Sequence, residues 1–432
     1  MIKTLVFLLP FSLETEVFAG TMLRIPSEPI IGLLALSFAV DLWRYPTVFI
    51  RPVAREFIWL LPLAAAFLIS LAFTSMPFVS VKFTAVNLLY IIVFYLFLMQ
   101  VFKRHPLLYV QLLFIYGLGL ILVFLLAIYR YGQYEWNLVV IRGIFQPFYN
   151  DHTIFGASAA LLAIFWTSMV IMSTDKQTRL TGMVLAPLFI AVVIVTTSRA
   201  AFLSLFVGAV AVSLLWLRLR VRHIMLLLLA TGLVVWMVSP LLVEHIRRIE
   251  TISYDPHAGL LERTGSAANV TTDLSNMERL NRWVSAWRMF REKPLTGFGP
   301  GTYQFEYIPH QEPGLMNRLS VTNPWEVPEG SGGTAHSEYL LALSEMGILG
   351  LIGWLVLLGR WTWVAFGRQR KRNRSLYAIV AFPALITYMF HALFNNFLTT
   401  DKFAFLFWGT AAWLVAGYEN TKEDEKGLLP DR

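Results

Sequence analysis

Leu107 to Tyr129 reads LLYVQLLFIYGLGLILVFLLAIY, with no charge inside it, Lys103 and Arg104 before it and Arg130 just after. Wound as a helix, that run covers the ~30 Å hydrocarbon core of a bilayer. Comparable stretches recur at Leu5 to Phe18, Pro29 to Leu42, Phe57 to Phe73, Phe83 to Val101, Ile154 to Met172, Leu180 to Thr196, Ala200 to Leu217, Ile224 to Val243, Tyr339 to Phe366, Leu376 to Phe394 and Phe403 to Tyr418. The pattern predicts an all-α polytopic membrane protein with about twelve transmembrane helices. Composition agrees: 432 residues are 57% hydrophobic and only 14% charged, and the mean hydropathy is +0.61. A soluble enzyme with one anchor is excluded, and the ~10-residue alternation of a membrane β-barrel is absent. With no cysteine there is no disulfide, thiolate nucleophile or cysteine-ligated metal.

The net charge of +8 would suit nucleic acid, but its placement points to membrane topology instead. Arg44, Arg51 and Arg55, then Lys103 and Arg104, Lys176 and Arg179, Arg218, Arg220 and Arg222, and finally Arg368, Arg370, Lys371, Arg372 and Arg374 follow alternate spans. Those connections are expected to be cytoplasmic. The intervening ones, Thr21 to Glu28, Ser75 to Val81 and Asn395 to Lys402, are poor in Lys and Arg, as translocated loops are. Both termini are then inside. The first apolar segment has signal-peptide features in Lys3, Ala19 and Gly20, but Glu14 and Glu16 interrupt it, and it is read as a retained, short first helix. Two connections exceed ordinary loops, Arg130 to His152 and the roughly 92 residues from Glu244 to Ala335. Both are expected outside. The chain divides into an N-terminal bundle of about nine helices (1–243), a large outer loop with amphipathic helices (244–335), about three C-terminal helices (336–418) and a cytoplasmic tail (419–432).

Chemistry-bearing residues gather on the outer side. Arg199 follows Thr197 and Ser198 in a tight turn and opens the next helix, where unpaired N–H groups, the dipole and a guanidinium fork suit a phosphate. A lone interfacial arginine also serves as a headgroup anchor. In the loop, Leu280, Trp283, Val284, Trp287 and Phe290 fall on one side of an interfacial helix. Arg279 lies at the edge of that side. Arg282 and Arg288 lie further round, where binding anionic headgroups is the simpler role. Pro294 to Gly301, PLTGFGPG, lacks the Lys-Ser or Lys-Thr of a phosphate loop and reads as a structured turn. His336 precedes a long apolar helix, whose positive end favours a neutral imidazole able to accept a proton; a capping or structural histidine fits the same position. Asp151 with His152, and His336 with Glu338, are conceivable metal ligands, but their spacing fits no strong motif, so a metal-independent site without cofactor is expected. His391, with Asn395 and Asn396, reads as a hydrogen-bonding group between helices.

Together these segments resemble the O-antigen ligase and Wzy-type polymerase superfamily. The likeness is carried by Thr197-Ser198-Arg199-Ala200, by Arg279-Leu280-Asn281-Arg282-Trp283 running into Pro294 to Gly301, and by Ala335-His336-Ser337-Glu338-Tyr339-Leu340 followed by Glu345 to Gly350. It implies a GT-C-type membrane glycosyltransferase of the bacterial inner membrane, with its site facing the periplasm. The donor would be an undecaprenyl-diphosphate-linked glycan and the acceptor lipid A-core oligosaccharide. Chain polymerisation and protein O-oligosaccharyl transfer share the motifs. By the same likeness Arg199 and Arg279 hold the diphosphate and His336 activates the acceptor hydroxyl, with Ser198, Arg282 and Glu338 as supporting residues. Membrane lipids, and no nucleic acid, complete the expected partners. A transporter, the non-enzymatic alternative, would carry ionisable residues at mid-membrane, whereas here charges gather at span ends.

Overall fold

Long apolar runs fold as helices, because a backbone out of reach of water must satisfy its own N–H and C=O groups. The computed structural model describes residues 1–18, 21–136, 140–141, 143–217, 274–317, 319–323, 333–367 and 376–424. In chain order it contains α1 (Ile2–Leu8), a hairpin of β1 (Leu13–Phe18) and β2 (Thr21–Ile25), α2 (Ser27–Arg44) and α3 (Pro46–Ala72). A helix from Pro77 to Arg104 follows, made of α4 (Pro77–Tyr90), a π-helical stretch (Ile91–Phe97) and α5 (Leu98–Arg104). Next come α6 (Leu108–Gln133), α7 (His152–Met172), α8 (Lys176–Thr196) and α9 (Arg199–Trp216). After the undescribed stretch stand α10 (Leu274–Glu292), α11 (Tyr303–Glu306), α12 (Glu338–Gly367), α13 (Leu376–His391) and α14 (Asp401–Asp424).

The all-α polytopic expectation holds. Among the described residues, seven helices are long and apolar enough to cross a membrane: α3, the Pro77–Arg104 helix, α6, α7, α8, α9 and α12 up to Phe366. At the expected spans near Pro29 and Phe403 helices also form, but α2 carries Glu28, Asp41 and Arg44 and α14 opens on Asp401 and Lys402. The helix α13 is shorter, at 16 residues. The expected span Ile224 to Val243, the loop residues 244–273 and the basic clusters at 218–222 and 368–374 lie outside the described residues.

The first expected span is corrected. The helical segment ends at Phe11, and Leu13 to Phe18 is a strand paired antiparallel with β2, Glu14 opposite Arg24. Alternation explains it: Glu14 and Glu16 share one side of an extended chain, a period no apolar helix tolerates. This hairpin is tied to the far end of the chain. Ser12 Oγ donates to Asp401 Oδ2 at 2.6 Å, and Ser27 Oγ donates to the same oxygen.

The glycine-rich turn also finds its place. At Gly347 the helix α12 kinks, with φ +64, a conformation that favours glycine, and an added Cβ would meet the Leu295 carbonyl carbon at 2.5 Å. The kink frees two carbonyls, and the turn pairs with them: Phe298 N–H donates to Ser344 O (3.1 Å) and Gly299 N–H to Glu345 O (2.9 Å). In return Ile348 N–H donates to Pro294 O at 2.8 Å. PLTGFGPG is thus a backbone plug for a broken helix, satisfying groups that would otherwise be costly to bury.

Not all charges gather at span ends. In α3 and α12, Glu56 and Arg360 form a buried ion pair, with the Arg360 guanidinium 5.4 Å from the Trp59 ring centroid and 5.2 Å from that of Trp363. Tyr95 OH donates to the other Glu56 oxygen at 3.2 Å. Each charge is answered by the other and by ring faces, which fits a clasp between two helices.

Candidate functional site

Ser198 caps α9. Its hydroxyl accepts from Ala201 N–H at 3.3 Å, and the side chain is buried at 2% exposure, so it shapes the helix start instead of facing a ligand. Thr197 ends α8 in the left-handed region at φ +52, where a β-branched residue is strained. Gly156 in α7 allows the turn to approach; a Cβ there would sit 2.8 Å from Thr196 Oγ1. The result is a half-buried Arg199 at the first position of α9.

On α10 the roles of the arginines separate by burial. Arg282 is fully enclosed: Nε donates to Glu278 Oε1 at 2.6 Å, Nη1 to Thr334 O at 2.8 Å, and the guanidinium lies 5.2 Å from the Tyr307 ring centroid. The headgroup role expected for Arg282 is therefore wrong. Glu278, held also by Ser320 Oγ at 2.8 Å, draws it inward to a small core of Ala286, Met289, Tyr303 and Tyr307. Arg288 likewise binds within the loop, to Glu312 and to the carbonyls of His310 (3.2 Å) and Gln311 (2.9 Å). Arg279 is half-buried. Trp287 is 51% exposed, the most open part of the apolar stripe.

His336 stands two residues before α12 with φ +49. Ser337, not His336, caps that helix, through Leu340 N–H to Ser337 Oγ at 3.4 Å. A left-handed histidine costs about 1–2 kcal/mol, and such strain collects at functional sites. Its backbone is held from α10: Trp283 Nε1 donates to His336 O at 3.4 Å, and Arg282 holds Thr334 O two residues earlier. Glu338 turns into the bundle, where its Oε1 accepts from Tyr388 OH (2.6 Å) and Leu398 N–H (2.9 Å). It pins the turn before α14.

Sequence reading assigned His391 to hydrogen bonding between helices; its Nε2 pairs with Asn395 Nδ2 at 3.0 Å within one turn, and its ring also meets the Ala200 backbone of α9. What it missed is the setting. The buried ring lies against the backbone at Ala200, in the field of both Arg279 and Asp151. The Ala200 backbone at the start of α9 and the charges of Arg279 on α10 and Asp151 at the cap of α7 thus bear on His391, and Trp283, one helical turn beyond Arg279, ties α10 to His336. Asp151 caps α7 through Thr153 N–H (3.0 Å) and lies 2.7 Å from His152 Nδ1. Desolvation pushes the Asp151 carboxyl up, but His152 and the Thr153 donors more than reverse this and hold it well below the usual carboxylate range. Among the described residues no three His, Asp or Glu side chains come together as metal ligands.

Fold and site define a multi-pass helical membrane protein with arginines and a strained histidine gathered beside a structured loop. Residues 182–355 match the family model described as O-antigen ligase. That segment, less than half of the chain, is similar to the O-antigen ligase family. The matched segment runs from α8 to mid-α12 and includes Arg199, Arg279 and His336. No curated protein matches the chain.

Proposed function

We propose that the chain transfers an undecaprenyl-diphosphate-linked O-antigen glycan onto lipid A-core oligosaccharide, from a site facing the periplasm of the bacterial inner membrane. One observation carries this reading: Trp283 ties the His336 backbone to the same helix as Arg279, whose charge acts on His391 beside the start of α9. Arg199 and Arg279 bind the donor diphosphate; guanidinium forks match phosphate oxygens, and the start of α9 adds its dipole. His336 takes the proton of the acceptor hydroxyl as that oxygen bonds to the anomeric carbon. The bond from that carbon to the diphosphate oxygen breaks, its electron pair leaves with undecaprenyl diphosphate, and the arginines stabilise the developing charge. The loop helix α10 lies on this face, and arginine charge serves in place of a metal.

Deleting the gene in a strain that displays long-chain lipopolysaccharide, then resolving its lipids on a gel, tests the acceptor. Loss of the whole ladder with accumulated carrier-linked polymer is expected. Core bearing a single repeat unit would instead mean chain polymerisation, and an unchanged ladder with unglycosylated proteins would mean protein glycosylation.

A further inference from the structure

Beside this cluster, a cleft of about 170 Å³ opens between the hairpin, the connection into α7 and the turn before α14. Its charged walls are Glu14, Arg24, Asp151, Asp401 and Lys402, with ring surface from Tyr149 and its neighbours. Both cations are already engaged. Lys402 Nζ donates to the carbonyls of Ser12 (2.7 Å) and Phe148 and lies 4.7 Å from the Tyr149 ring centroid. Arg24 donates to Glu14 (2.6 Å) and to Thr399 O (2.8 Å). What remains is accepting capacity. Asp401 is completely buried, yet its Oδ1 has no hydrogen-bond donor among the described residues, the Arg24 Nε lying 3.7 Å away. The Asp151 side chain is half open to the cleft.

Three carboxylates against two engaged cations repel a phosphate. A ligand for this cleft brings hydroxyl or amide N–H donors for the carboxylates and C–H faces for the rings, in a volume of about one sugar ring. We propose that the cleft is a saccharide subsite, taking one pyranose unit of the glycan being transferred or of the acceptor. Asp151 places it: the residue lines the cleft, caps α7 through Thr153 N–H, and its charge acts on His391. The inference rests on reading the arginines as the diphosphate clamp.

Asn150 also lines the cleft and is exposed, so Asn150→Trp fills the space without entering the core. Full-length protein in detergent would be assayed with carrier-linked glycan and saccharide acceptor, and for inhibition by undecaprenyl diphosphate, which carries no sugar. The expected result is a KM raised about tenfold or more for one of the two substrates, kcat within about threefold, and unchanged inhibition by undecaprenyl diphosphate. Which KM rises says whether donor or acceptor sugar occupies the cleft. Both KM values near wild type, or a loss of kcat alone, would overturn the subsite. If wild type is not inhibited by undecaprenyl diphosphate, the clamp reading fails, while a raised KM still supports the cleft. Glu14→Gln, which keeps shape and removes one acceptor charge, gives the same readout should Asn150→Trp not accumulate.

Discussion

The Trp283 indole N–H donates to the His336 backbone carbonyl at 3.4 Å, so the loop helix carrying Arg279 also holds the histidine in its left-handed conformation. The residues proposed as donor clamp and base thus share one support, α10, where Trp283 lies four positions after Arg279.

His336→Gly separates strain from chemistry. Glycine adopts φ +49 freely, so folding stability should be kept or rise by up to about 1 kcal/mol, while transfer falls by about 10²–10⁴. Thermal unfolding in detergent beside turnover measures both. A variant that is markedly less stable would mean the imidazole serves the fold.

Arg282→Ala and Arg279→Ala should fail in opposite ways. Removing Arg282 leaves Glu278 buried and unpaired at a cost of about 3–5 kcal/mol, seen as lost thermal stability. Arg279→Ala should unfold near the wild-type temperature yet bind donor more weakly, read as a raised donor KM. Exchanged behaviour would transfer the clamp to Arg282.

Arg199→Lys keeps the charge and should still lose most transfer activity, because two parallel charge-assisted bonds worth about 1.5–3 kcal/mol each become a point contact. Near-normal turnover at normal membrane levels would make Arg199 a headgroup anchor.

Gly347→Ala should destabilise the loop. Alanine at φ +64 costs about 1–2 kcal/mol, and its Cβ also meets Leu295, so the 294–301 turn has to lift from the kink. Limited proteolysis between α10 and α12 reports this as faster cleavage; wild-type resistance would show that the kink adapts.

The helices were legible because a membrane leaves hydropathy as nearly the only variable: α6 and α7 begin within two residues of their expected starts. The hairpin was not, since its apolar content hid a two-residue period marked only by Glu14 and Glu16. At the site, Arg199 was readable from its turn and His336 from the apolar helix behind it. Arg282 misled, because a helical wheel records which side a residue faces but not that Glu278, one turn away, and the Ser320 hydroxyl, 42 residues beyond Glu278, make a polar interior there. The approach of His391 to the start of α9 depends on pairing distant segments, which local pattern does not encode.

Transfer should persist in EDTA, since arginines supply the positive charge and no strong metal motif is present. Recovery of a chelated, inactive enzyme by Mg²⁺ or Mn²⁺ would contradict this and make Asp151 the first ligand to examine.

The central claim, that His336 is the base and the arginines are the clamp, is tested most directly by steady-state kinetics of purified His336→Ala with carrier-linked glycan and acceptor. The expected result is kcat lowered by about 10²–10⁴ with the donor KM close to wild type. More than about a tenth of wild-type kcat would exceed what loss of a general base allows and would contradict the account.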